Sequence, residues 1–162
     1  MLHGLPMGNT PVPDQSVDST QRRRDVRARR EEQVGALRAA PCVELTSRVI
    51  ELAIRVHRRL GPGLLESIYE ECLCWELRHS AIAHARQVPL AVTYEDMHLA
   101  GAYRADIIVD QQVVLEIKAI EHILPLHEAQ TLTYVRLSGC PVGLLMNFNS
   151  TLLKDGLRRV VL

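Results

Sequence analysis

The stretch Val113-Val114-Leu115-Glu116-Ile117-Lys118-Ala119-Ile120 decides how the rest of the chain is read. Its β-branched, apolar run predicts a buried strand, and a period of two puts Glu116 and Lys118 on one face with Leu115 and Ile117 on the other. Upstream, Tyr103 to Val109 reads as a second strand, joined by the polar turn Asp110-Gln111-Gln112. If that turn takes all three residues, Val109 faces Val113 and Asp106 faces Glu116. Directly opposed residues of an antiparallel pair lie roughly 4.5 to 5.5 Å apart at Cβ, so two carboxylates there repel unless a cation or proton sits between them. A hard divalent metal fits such an oxygen pair, and Lys118 could stabilise charge on an attacked phosphate. Two other readings stand beside this one. A two-residue turn would take Asp106 out of register, and an edge strand with one wet face alternates acid and lysine for solubility alone.

Working outward, Leu45, Val49, Leu52, Ala53, Val56 and Leu60 recur at helical spacing, so Glu44 to Leu60 is expected to be an amphipathic helix stopped by Gly61-Pro62-Gly63. A second helix is expected from Leu65 to His79, burying Leu65, Ile68, Cys72 and Trp75 or Leu73 and packing antiparallel on the first. Short strands follow at Val88 to Tyr94, Met97 to Leu99, Tyr103 to Val109 and Val113 to Ile117. A helix from His127 to Leu137 ends at Gly139 and Pro141, Val142 to Met146 is a buried strand, and Leu152 to Leu162 is a short helix and terminal strand. The order predicts an α/β fold, a mixed sheet flanked by helices, with two N-terminal helices.

The chain of 162 residues, 47% hydrophobic, can bury one core, which we assign to residues 42–162. Residues 1–41, carrying seven arginines between Arg22 and Arg38, are expected to be a disordered or loosely helical tail. Net charge is +0, so bulk electrostatics do not point to nucleic acid or membrane, although the arginine run could meet phosphates. Lysine occurs only at positions 118 and 154, which makes Lys118 in an apolar strand conspicuous. Cys42, Cys72, Cys74 and Cys140 form no paired motif and are expected to be reduced and mostly buried, in a cytoplasmic protein with no membrane span. None of the seven histidines sits in a zinc pattern, and most are expected to be exposed; His127 opens the helix that carries Gln130. No serine or cysteine hydrolase arrangement is present. With aromatic residues at 4%, a base-stacking platform is not expected.

The heptad Gly63-Leu64-Leu65-Glu66-Ser67-Ile68-Tyr69 resembles the signature of the GxxExxY protein family, a branch of the PD-(D/E)xK nuclease superfamily. The likeness extends to Leu60-Gly61-Pro62-Gly63, Gln87-Val88-Pro89, Tyr103-Arg104-Ala105-Asp106, Leu115-Glu116-Ile117-Lys118-Ala119, His127 to Tyr134 and Gly143 to Asn149. It implies a restriction-endonuclease-like core in which Asp106 and Glu116 hold Mg²⁺, or Mn²⁺ as a substitute, with the Ile117 carbonyl as a further ligand and Lys118 as the catalytic lysine. Glu66 would complete or buttress the metal shell, and Gln130 and Tyr134 resemble the helical Gln-x-x-x-Tyr element of RecB-like members, which could hold a phosphate or position Lys118. The expected activity is metal-dependent hydrolysis of nucleic-acid phosphodiesters by activated water, with DNA the expected partner and a homodimer across an edge strand compatible with the body's size. The alternative is a non-catalytic module on the same fold that binds nucleic acid or protein.

Overall fold

A computed structural model describes residues 42–162 of the chain; the expected tail, residues 1–41, lies outside them. The elements run α1 (Val43–Leu60), α2 (Glu66–His79), β1 (His84–Tyr94), β2 (Met97–Val109), β3 (Val113–Lys118), α3 (Pro125–Ser138), β4 (Val142–Asn147), a 3-10 turn (Leu153–Gly156) and β5 (Leu157–Val161). The five strands form one sheet in the order β1-β2-β3-β4-β5. β3 and β4 are parallel, because α3 carries the chain back between them, and every other pair is antiparallel. The mixed sheet flanked by helices is the expected architecture.

Chain chemistry accounts for this layering. Val49, Leu52, Ala53 and Val56 of α1 are buried, and the helix stops where Gly61 takes a left-handed φ of 70° while its N–H closes on the His57 carbonyl. With Tyr69, Leu73 and Leu77 of α2 they cover one face of the sheet, meeting Ile107, Val113, Leu115, Ile117, Leu144 and Met146. Tyr134 and Val135 of α3 cover the other face over Ala105, Ile108 and Val114. β3 and β4, buried on both sides, are accordingly continuous aliphatic runs, broken only where chemistry is carried. Gly143 lets α3 sit close: a Cβ there would lie 2.7 Å from Val135 Cγ2 and 2.9 Å from Thr131 Cγ2.

Two expectations are corrected. The buried face of α2 is Tyr69, Leu73 and Leu77, whereas Leu65, Ile68 and Trp75 are exposed. Apolar residues surround this helix, so periodicity offered two stripes; tertiary packing chose the one that also buries Glu70 and Glu76, and Arg55 of α1 meets Glu76 at 2.9 Å. Met97 to Leu99 and Tyr103 to Val109 are one strand, not two. Between Leu90 and Val92, β2 spends four residue steps against two of β1, and Gly101 takes up the irregularity with φ 63°. His57 is buried, its Nε2 lying 2.8 Å from the Ser150 carbonyl oxygen. The four cysteines are free, with Cys74 and Cys140 buried.

Candidate active site

The three-residue turn forms as the register argument required. Asp110 and Gln111 are left-handed, Gln112 N–H donates to the Val109 carbonyl, and Val109 pairs with Val113. The ladder between β2 and β3 ends at Ile107 and Leu115. One step further, the Asp106 carboxylate replaces the backbone: its Oδ2 accepts the Ile117 N–H at 2.8 Å. Across from it on β1, the pairs Arg86–Ile107 and Val88–Ala105 bracket Gln87, which has a left-handed φ of 53°. The pleat reverses here, since Ala105 packs under α3 while Ile107 packs under α1 and α2. That reversal turns Asp106 toward β3.

Glu116 is 3% exposed and lies on the α3 side of the sheet beside Asp106 and Lys118. Its Oε1 accepts from Lys118 Nζ at 2.6 Å, and its Oε2 is buried without a hydrogen-bond partner. Burial, reinforced by the Asp106 charge and only partly offset by Lys118, pushes the Glu116 carboxyl up to about 7. Burial also raises Asp106, against the lowering hydrogen bond from Ile117. Lys118 is pushed down by burial, but its hydrogen bond to Glu116 and the surrounding carboxylates hold it above its ordinary value.

Glu66, in the first turn of α2, reaches the end of β3: its Oε1 accepts the Ala119 N–H at 2.9 Å. The loop before it is pinned by Tyr69, fully buried, whose hydroxyl donates to the Gly61 carbonyl at 2.7 Å and accepts from Leu64 N–H at 3.1 Å. The spacing of glycine, glutamate and tyrosine is therefore one bracket, in which tyrosine fixes the turn and glutamate clamps the residue after Lys118. On α3, Gln130 Nε2 donates to the Tyr134 hydroxyl at 2.6 Å. Burial raises the Tyr134 phenol, Gln130 lowers it, and the charges of Glu116, Lys118 and Asp106 reach it too, which places it at the edge of this cluster. His127 caps α3 instead, its Nδ1 accepting the Leu124 N–H at 3.0 Å.

Two positions were not singled out from sequence. Asn147, paired with Lys118 across β3 and β4, accepts from Ile120 and Asn149 N–H through Oδ1 and donates to the Ile120 carbonyl through Nδ2, fixing the loop after the lysine. Its signal was an amide closing a wholly apolar strand. Glu70, buried, takes Gln87 Nε2 on both oxygens at 2.9 Å and adds negative charge behind Asp106. That contact depends on the kink at Gln87, which no local pattern announces.

Among the described residues no three His, Cys, Asp or Glu stand close enough together to hold a metal by themselves. The pair Asp106 and Glu116 nonetheless fits a hard cation that keeps water and substrate oxygens as its remaining ligands, because Glu116 holds one buried carboxylate oxygen without a partner within reach of the Asp106 charge. Glu66, committed to Ala119, sits as a buttress to this pair.

The site is thus a two-carboxylate, one-lysine cluster at the end of a kinked antiparallel pair, on a mixed sheet with helices on both faces. Comparison with known families matches residues 43–160 to the PD-(D/E)XK nuclease superfamily, and the chain belongs to it. No curated protein and no solved structure matches the chain. No helix among the described residues is long and apolar enough to cross a membrane.

Proposed function

We propose that the protein is a Mg²⁺-dependent nuclease that hydrolyses nucleic-acid phosphodiester bonds, in DNA in the first instance, and that it belongs to the GxxExxY branch of its superfamily. The observation that carries this is Glu116: a carboxylate buried against Asp106, with one oxygen tied to Lys118 and the other without a partner. Buried like charges cost stability, and a cation between them removes that cost. Asp106, Glu116 and the Ile117 carbonyl would hold the ion, with Glu66 buttressing the backbone behind them. When bound, the cation supplies Lewis-acid polarisation of the phosphoryl group and a water acidified toward neutrality. Lys118, held at Glu116 Oε1, is placed to stabilise negative charge as water adds to phosphorus and the ester oxygen leaves. Gln130 and Tyr134, joined by their own hydrogen bond on α3, would orient the phosphate.

Calorimetric titration with Mn²⁺ and Mg²⁺, followed by cleavage of plasmid and branched DNA, tests the reading. Metal binding and cleavage that are both lost in Asp106→Asn are expected. Metal binding indifferent to that substitution, or none at all, would leave a binding module on a nuclease fold.

A further inference from the structure

The chain carries few aromatic residues, and most have other engagements. Tyr69, Tyr134 and Phe148 are buried, Trp75 stacks on His79 at 3.7 Å, and Tyr94 closes the hairpin end of β1. Tyr103 differs. It is 43% exposed, and its ring lies 5.6 Å from that of Tyr134, the phenol that senses Glu116, Lys118 and Asp106. In front of it opens a cavity of about 360 Å³, closed by Leu126, Ala129, Gln130 and Thr133 of α3. Leu126 is 71% exposed and lines this cavity beside Tyr103, so its side chain is open to an occupant.

We propose that the cavity between Tyr103 and Leu126 is a base-binding subsite, taking one unpaired nucleobase next to the phosphate held at Asp106 and Glu116. The inference rests on the nuclease reading and narrows its substrate class to nucleic acids with an unstacked nucleotide at the cleavage position: single strands, flaps or frayed ends. Three features favour a base over another apolar occupant. The walls are an aromatic face and an aliphatic side chain, the surfaces on which a flat heterocycle stacks. Gln130 and Thr133 add polar groups to the lining, and Gln130 also donates to the Tyr134 hydroxyl, so an occupant meets a residue already assigned to the phosphate. Tyr103 also packs with its ring 5.6 Å from that of Tyr134, the partner of Gln130, which sets the cavity one side chain away from the α3 residues assigned to the phosphate. A base paired within a duplex presents only its edges and cannot enter between the two side chains. Tyr103 is thus a positioning residue, with no part in bond breaking.

The test uses the full chain with Mg²⁺ and a set of oligonucleotides: a single strand, its perfect duplex, and the single strand with one abasic residue at the nucleotide flanking the mapped cleavage position. Wild type is expected to prefer the single strand. Tyr103→Ala should raise KM on it about tenfold, toward the lower end of what one stacked base contributes, with kcat within about twofold. Tyr103→Phe, which keeps the ring, should restore the wild-type value. The abasic strand should raise the wild-type KM by a similar factor and add nothing further in Tyr103→Ala. Cleavage by Tyr103→Ala with wild-type KM, or equal losses on intact and abasic strands, overturns the subsite while leaving the nuclease reading intact. Wild type that cuts none of these strands, with Mg²⁺ or with Mn²⁺, overturns both.

Discussion

Replacing Glu116 with glutamine removes one charge from a buried pair and should stabilise the metal-free protein while destroying its response to metal. The Glu116 carboxyl is held at about 7 against an ordinary 4.5, mainly by burial and then by Asp106. Each tenfold in proton affinity corresponds to about 1.4 kcal/mol, so keeping Glu116 ionised above pH 7 costs the fold about 3 kcal/mol. The sign follows from which state binds the proton more tightly. The folded-state value lies above the unfolded one, so the stabilising contribution of protonated Glu116 is complete below pH 4.5 and is lost as pH rises through about 7. Glutamine keeps an oxygen for Lys118 Nζ but makes that contact neutral on one side, a loss of about 1 kcal/mol. The net gain at pH 8 is about 2 kcal/mol, which moves the midpoint of urea unfolding up by about 1 M. At pH 4 the two proteins should be nearly equal. Saturating Mn²⁺ or Mg²⁺ should raise the wild-type midpoint by ligand linkage and leave Glu116→Gln unmoved. A Glu116→Gln midpoint below wild type at pH 8 in EDTA, or wild-type stability that is flat between pH 4.5 and 7, would refute the reasoning.

Four further outcomes are expected. Lys118→Met should lower kcat about 100-fold or more, as loss of one stabilising group at a developing charge does, with circular dichroism unchanged. Tyr69→Phe leaves the Gly61 carbonyl and Leu64 N–H without their partner, so unfolding free energy should fall by about 1–3 kcal/mol, and cleavage should fall further as Glu66 loses its fixed approach to Ala119. Gly143→Ala pushes a methyl into two stiff β-branched side chains of α3 and should cost about 1–3 kcal/mol in a denaturant melt, without change in metal affinity. Burial pushes the Cys74 thiol from 9.0 up to about 11, so stability should decline as pH rises through that interval; Cys74→Ala should flatten the decline by about 3 kcal/mol.

The strand around Glu116 was legible because a carboxylate and a lysine two apart in an otherwise aliphatic run have one way to share a face, and a three-residue turn then sets Asp106 within one residue of its place. The same local logic located the ends of α1 and α3, each marked by a glycine that tolerates left-handed φ. Legibility stopped wherever two local answers were equally good. The second helix offered two apolar stripes, and only the sheet beneath it could choose Leu73 over Trp75, and Tyr69 and Leu77 over Leu65 and Ile68. Ala100-Gly101-Ala102 reads as a break between strands until β1 is present to carry the irregular pairing across it.

For the site, the sequence alone nominated the residues proposed to carry the chemistry: Asp106, Glu116 and Lys118 from strand periodicity and a turn of the right length, and Glu66, Gln130 and Tyr134 through family likeness. What they experience was decided by tertiary structure. The kink at Gln87 and the pleat reversal around Asp106 turn that carboxylate onto the Ile117 N–H, and the cover of α3 takes Glu116 out of water. Tyr103 became a candidate base platform only because α3 places Tyr134 and Leu126 beside it. Periodicity reports the direction of a side chain relative to its own strand. Burial, charge coupling and cavities arise between elements far apart in the chain, and no local pattern encodes them.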